Sequence, residues 1–215
     1  MIISPSLASG GLMHAADEIH YICRNFAELH LDIEDGVHLP NISFGFRFAQ
    51  EACALAKRPV SLHLMVSDPL RWLEDVRRCG AAYAFLHLDH IPEAEAVLEA
   101  YQAAGIPTGL GLSGRDLKKG GWEGPLSRVD AVLVLTSDID APAQPYVPEL
   151  AEFAKELARR PGRRVWVDGA VDFPVLEDLE RAGIYAAVMG RAIFRDKENA
   201  CQKAGKWAII HGKET

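Results

Sequence analysis

A basic excess is missing from this chain. Its 215 residues carry 23 Lys and Arg against 30 Asp and Glu, a formal net charge of −7. Proteins that hold nucleic acid concentrate cationic side chains, so no nucleic-acid partner is expected. A small anionic ligand stays admissible, because one cationic or amide-rich pocket suffices for it. Cysteine is scarce as well. Cys23, Cys53, Cys79 and Cys201 lie far apart with no Cys-x-x-Cys spacing. Disulfide frameworks belong to short, Cys-dense secreted chains, so reduced thiols and a cytoplasmic setting are the expectation. No apolar run approaches the length of a membrane span. The start, MIISPSLASGG, has no basic segment leading into a long apolar one, so neither a membrane partner nor a signal peptide is expected. No G-x-G-x-x-G follows the first apolar run, which weighs against a dinucleotide site.

What is present is core-forming material: 49% of residues are hydrophobic and 25% charged. The length suits one domain over residues 1–215. Short apolar runs alternate with longer amphipathic ones, the pattern of a parallel sheet covered by helices. The strand candidates are Ile2 to Leu7, Glu28 to Ile33, Pro59 to Met65, Ala82 to Leu88, Pro107 to Leu112, Ala131 to Thr136, Arg164 to Asp168 and Tyr185 to Met189. Helices are expected after Ser67-Asp68-Pro69, over Val147 to Ala158, and over Val175 to Ala182 before Gly183. The stretch SGRDLKKGGWEGPLSR, with four glycines and a proline, is expected to form a loop and a short helix. Eight strand-helix units favour a closed (β/α)8 TIM barrel over a doubly wound open sheet. In such barrels chemistry sits at the C-terminal ends of the strands.

The second strand ends His30-Leu31-Asp32-Ile33-Glu34-Asp35. Alternate residues of a strand share a face, so His30, Asp32 and Glu34 point one way and Leu31 and Ile33 the other. Ionisable groups inside a barrel are costly unless they bind something, although an ordinary hydrogen-bonded cluster fits the same pattern. His63 sits among apolar neighbours in Ser61-Leu62-His63-Leu64-Met65, where a satisfied core histidine is the plainer reading. Asp168 closes the run Val165-Trp166-Val167-Asp168-Gly169, where it could also order a turn. His87 lies on the fourth strand. Together, two imidazoles and two carboxylates at one rim make a neutral site for a divalent transition ion such as Zn2+.

The sequence resembles the ribulose-phosphate 3-epimerase family over nearly its whole length. The resemblance is carried by SPSLA at 4–8, HLDIEDGVHLPNISFG at 30–45, LHLMVSDP at 62–69, VWVDG at 165–169 and VMGRAIF at 188–194. It implies a ribulose-phosphate-binding type of TIM barrel. It also implies one divalent metal ion per chain, Zn2+ first with Fe, Mn or Co as alternatives, held by His30, Asp32, His63 and Asp168. Asp32 and Asp168 become the acid and base of an epimerisation at C3 of a ketose phosphate. The default substrate is D-ribulose 5-phosphate, converted to D-xylulose 5-phosphate through an enediolate. Ser6, Glu34, Met65 and His87 would flank the substrate. Gly169, Ala170, Gly190 and Arg191 would meet its phosphate at the loops after strands seven and eight. The family also implies a homo-oligomer.

Three departures from the family pattern matter. Glu34 stands where a methionine is usual, as does Leu135, although Met65 is kept. The glycine-rich loop after strand six is replaced by Ser137-Asp138-Ile139-Asp140-Ala141-Pro142-Ala143-Gln144. This removes glycine amides that cradle phosphate and adds negative charge. Leu112-Ser113-Gly114-Arg115 replaces a common Asn-Pro pair. These changes predict weaker use of ribulose 5-phosphate. They also keep open a different sugar phosphate, such as a hexulose 6-phosphate, and a non-catalytic sugar-phosphate-binding barrel. Related barrel decarboxylases and aldolases lack the two-His, two-Asp set, so His63 and Asp168 weigh against them.

Overall fold

The computed structural model describes residues 1–138 and 144–209. All eight expected strands form: β1 (Ile2–Pro5), β2 (Leu29–Glu34), β3 (Val60–Met65), β4 (Tyr83–His87), β5 (Thr108–Leu112), β6 (Ala131–Leu135), β7 (Arg164–Asp168) and β8 (Ala186–Met189). They run parallel in the order β1-β8-β7-β6-β5-β4-β3-β2. A parallel bridge between Ser6 and His30 joins the two ends of that order. The ring is therefore a TIM barrel, and its seam lies at two of the candidate site residues.

Helices α1 (Ala15–Asn25), α2 (Phe46–Leu55), α3 (Leu73–Cys79), α4 (Ala94–Ala103), α5 (Gly114–Lys119), α6 (Glu123–Ser127), α7 (Pro148–Ala158), α8 (Leu176–Arg181), α9 (Arg191–Phe194) and α10 (Lys197–Ala204) connect or follow the strands. Local chemistry explains their limits. α3 opens with Glu74 and Asp75, ends with Arg77 and Arg78, and stops at Gly80 with φ 60°. That charge order follows the helix dipole, and the left-handed glycine ends the helix. The expected helices near 147 and 175 appear as α7 and α8. The glycine-rich stretch differs from expectation, forming two short helices, α5 and α6. Ser113 accepts the amides of Arg115 and Asp116, while the Asp116 side chain takes the Ser113 amide. This reciprocal cap starts α5 despite the glycines that follow.

The strand alternation divides the core into two shells. Leu31, Ile33, Leu62 and Leu64 are buried towards the helices. Phe85, Leu133, Leu135, Trp166 and Val188 fill the barrel interior. Two glycines of β5 leave room for large neighbours on β4. A Cβ on Gly111 would come 2.7 Å from His87 Nε2. A Cβ on Gly109 would stand 2.5 Å from the Phe85 ring and 3.0 Å from the Ala131 carbonyl oxygen. Among the described residues no helix is long and apolar enough to cross a membrane.

Gly109→Ala is expected to cost about 1–3 kcal/mol, the usual range for overpacking a filled core. Urea unfolding measures it as a lower midpoint at unchanged slope. An unchanged midpoint would show that Phe85 has free space to retreat.

Candidate active site

The site is built from the floor of the barrel upward. Glu28, next to β2, is buried, and its Oε1 accepts hydrogen bonds from Ser4 Oγ at 2.7 Å, Ser61 Oγ at 2.9 Å and Trp166 Nε1 at 2.9 Å. Ser61 has one hydroxyl proton, and Glu28 takes it. The Ser61 oxygen is left to accept from His30 Nδ1, 2.8 Å away. His30 therefore carries its proton on Nδ1 and turns the bare Nε2 towards the rim, the way second-shell bonds fix an imidazole. That Nε2 is buried and has no hydrogen-bond partner among the described residues. It lies 3.4 Å from Asp32 Oδ1 and 3.6 Å from Asp168 Oδ2.

His63 stands beside Asp32 across the β2–β3 register. Its Nδ1 is 3.1 Å from Asp32 Oδ1 and 3.2 Å from Asp168 Oδ2. Its Nε2 meets His87 Nε2 at 2.8 Å. Ser6 donates to the other Asp32 oxygen, Oδ2, at 2.5 Å. Burial alone would raise the Asp32 carboxyl, but His30 and His63 hold it well below the usual carboxylate range. Burial alone would lower the His63 imidazole, but Asp168 and Asp32 push it up to about 9. Burial, and then the His63 charge, lowers His87 well below its ordinary value.

One donor atom from each of His30, Asp32, His63 and Asp168 lies within 4.8 Å of the other three. Two imidazoles and two carboxylates suit a divalent transition ion. The orphaned His30 Nε2, fixed by its neighbour and aimed between two carboxylates, is the observation that fits such an ion to these residues.

A cavity of ≈ 630 Å3 opens over the group. Ser6, Asp32, Glu34 and Asp168 line one part of it, and Gly169, Ala170, Gly190, Arg191 and Arg195 another. A second cavity of ≈ 280 Å3 shares Asp32, Glu34 and Asp168 and adds His63, Met65 and Leu135 to its wall. After β7 the chain turns sharply, with Gly169 at φ 107° and Ala170 at φ 55°. A Cβ on Gly169 would meet Ser137 Oγ at 2.3 Å and its amide at 2.9 Å, so glycine is required there. Thr136 Oγ1 secures the turn by donating to the carbonyls of Asp168 and Gly169. Arg191 is exposed and donates to the Gln144 carbonyl at 3.3 Å.

The structure thus brings His30, Asp32, His63, Asp168, Ser6 and Glu34 together, with Met65 in the wall and Gly169, Ala170, Gly190 and Arg191 across the larger cavity. Glu34 is half-buried and accepts from Asn41 Nδ2. Burial, and next the Asp32 charge, raises its carboxyl above the ordinary value. His87 is separate: it is buried against His63 and lines neither cavity. Residues 139–143, which carry most of the altered loop, lie outside the described residues. Sequence reasoning missed Glu28, Ser61 and Trp166. The signal was present for Glu28, which shares the period-two face of His30 and Asp32.

Fold and rim together define a TIM-barrel enzyme with its ionisable groups at the C-terminal ends of the strands. A family model described as the Ribulose-phosphate 3 epimerase family matches residues 2–194, and the chain belongs to that family. It is an isomerase of the epimerase class. Among its relatives, the ribulose-phosphate 3-epimerase of Helicobacter pylori is 27% identical over 203 residues, covering 92% of this chain and 93% of its own. The cytoplasmic isoform from Oryza sativa subsp. japonica is 28% identical over 200 residues, covering 89% and 86%. Solved structures share the fold at lower identity. KGPDC from Streptococcus mutans superposes with a TM-score of 0.67 at 15% identity, over 94% of each chain. N-(5'-phosphoribosyl)anthranilate isomerase from Pyrococcus furiosus gives 0.65 at 15%, over 95% and 98%.

The charge cluster sets a pH dependence in chelator-treated protein. His63, raised from 6.5 to about 9, contributes stability that is complete below about 6.5 and lost as pH rises through 9. Asp32, lowered from 3.8, contributes stability present above that value and lost as pH falls below it. Thermal midpoints of metal-free protein should therefore fall between pH 6.5 and 9. A flat profile there would mean that His63 is not protonated between the two carboxylates.

Proposed function

We propose that the chain epimerises a pentulose phosphate at C3, with Asp32 and Asp168 as the two acid/base groups and His30, Asp32, His63 and Asp168 as the ligands of one divalent ion. The observation that carries this reading is the bare His30 Nε2 between two carboxylates that converge on His63. When bound, the ion would act as a Lewis acid towards the ketone and neighbouring hydroxyl oxygens, which makes the adjacent C–H more acidic. Inversion requires a proton to leave one face of that carbon and another to reach the opposite face. Asp32 and Asp168 stand on different strands and reach the centre from different sides. One carboxylate takes the proton while the other, protonated, gives one back. Reversal of the reaction exchanges their roles. Ser6 holds the second oxygen of Asp32 and so fixes the direction of its free lone pairs.

The substrate phosphate is assigned to the part of the cavity lined by Gly169, Ala170, Gly190 and Arg191. Backbone amides of a tight turn and a guanidinium both favour an anion. Ribulose 5-phosphate is the default sugar. Glu34 supports a second reading, because its carboxylate lines the same cavity and offers an acceptor to a hydroxyl that a methionine would exclude. A panel of pentulose and hexulose phosphates separates the two. Preference for a pentulose phosphate supports the first, and preference for a hexulose phosphate supports the second.

Asp32→Asn and Asp168→Asn should each lower turnover by at least about a hundredfold, the usual size of an acid-base contribution. Near-normal turnover in either variant, with metal content unchanged, would remove that residue from the acid/base pair. Wild-type protein should carry about one ion per chain as isolated and lose activity on chelation, and Zn2+ should restore it. Full activity after complete chelation would overturn the metal assignment.

A further inference from the structure

A second metal-competent group lies on the far side of His63. Donor atoms from His38, His87 and Asp89 all fall within 4.8 Å of one another. We propose that these three side chains hold a second divalent transition ion, separate from the one assigned to His30, Asp32, His63 and Asp168.

The buried end of the group supplies the first argument. His87 is 2% exposed and spends its Nε2 on His63. Its Nδ1 is buried with no hydrogen-bond partner among the described residues. Buried polar atoms are nearly always satisfied, and an orphan costs free energy. A metal ion that takes the place of the Nδ1 proton removes that cost.

The second argument is how His38 arrives there. It lies in the loop after β2, and Asp35 pins that loop. The Asp35 carboxylate accepts from the amides of Val37 and His38 and from the amide and hydroxyl of Ser67. The loop after β2 is thereby tied to the one after β3, and the His38 ring comes to rest 5.7 Å from the His87 ring. Asp89 adds an anionic oxygen. Two imidazoles and one carboxylate match three-ligand sites for Zn2+, Co2+ or Ni2+, and His90 packs beside them, its ring 4.6 Å from that of His38 and its Nδ1 3.4 Å from Asp89 Oδ1.

The two sites meet at the His63–His87 contact. A 2.8 Å N···N bond has room for one proton. With an ion on each Nδ1, the two rings keep one proton where separate imidazoles would keep two. The coupling is reciprocal, so each ion weakens the binding of the other.

Metal titration of the full chain tests this directly. Chelator-stripped protein is equilibrated with rising Co2+, and bound cobalt per chain is read by elemental analysis and visible absorption. His38→Ala and Asp89→Asn are run in parallel, with circular dichroism to verify folding. Wild type should bind one more ion per chain than either variant, or hold that ion about tenfold or more tightly. This difference stands whatever the first site holds, so failure of the first assignment leaves the test intact. Equal stoichiometry and affinity in wild type and both folded variants would overturn the proposal.

Discussion

The hydrogen bond from Ser61 to Glu28 decides which nitrogen of His30 faces the rim. Glu28 is a buried carboxylate, a group that persists in a barrel floor only when its charge is matched by donors. Ser4, Ser61 and Trp166 supply them, from three strands, all on one oxygen. Because Ser61 spends its proton downward, it can only accept from above, and His30 must donate from Nδ1. The upper layer inherits that choice. His30 presents a lone pair, Asp32 and Asp168 close on His63, and Ser6 restrains the remaining Asp32 oxygen at the barrel seam. The same residues that shut the ring thus orient the chemistry.

Much of this was legible in the sequence. The strands were, because eight apolar runs recur at a βα spacing and end in glycine, proline or polar residues. The four rim residues were, because period-two alternation places His30 and Asp32 on one face, and motif resemblance adds His63 and Asp168. What escaped depends on contacts distant along the chain. Trp166 reaches Glu28 across the barrel interior, a separation of 138 residues that no local pattern encodes. His38 escaped because its position follows from Asp35 drawing two loops together. The α5–α6 segment reads in sequence as a loop and one short helix, and forms two short helices because the reciprocal Ser113–Asp116 cap holds a helix start among the glycines.

The cavity is polarised. The carboxylates of Asp32, Glu34 and Asp168 line one part, while arginines and a strained turn form another. Ala170 accepts φ 55°, a conformation an L-residue takes at a cost, and such strain is found where surrounding structure over-determines the backbone. Here Thr136 and the tight fit of Gly169 against Ser137 do so. A ligand with an anionic tail and a polarisable carbonyl head matches this arrangement. Glu34 modifies the head end, placing a partly protonatable carboxyl beside Asp32 where the family usually has a thioether.

The central claim is that two carboxylates work on opposite faces of one carbon. Epimerisation in deuterium oxide, stopped at a few per cent conversion, tests it most directly. Two-base inversion predicts that the product carries solvent deuterium at C3 while the recovered substrate remains protiated, in both directions of reaction. Product that retains the original hydrogen would mean that a single group carries the proton from one face to the other, and would contradict the account.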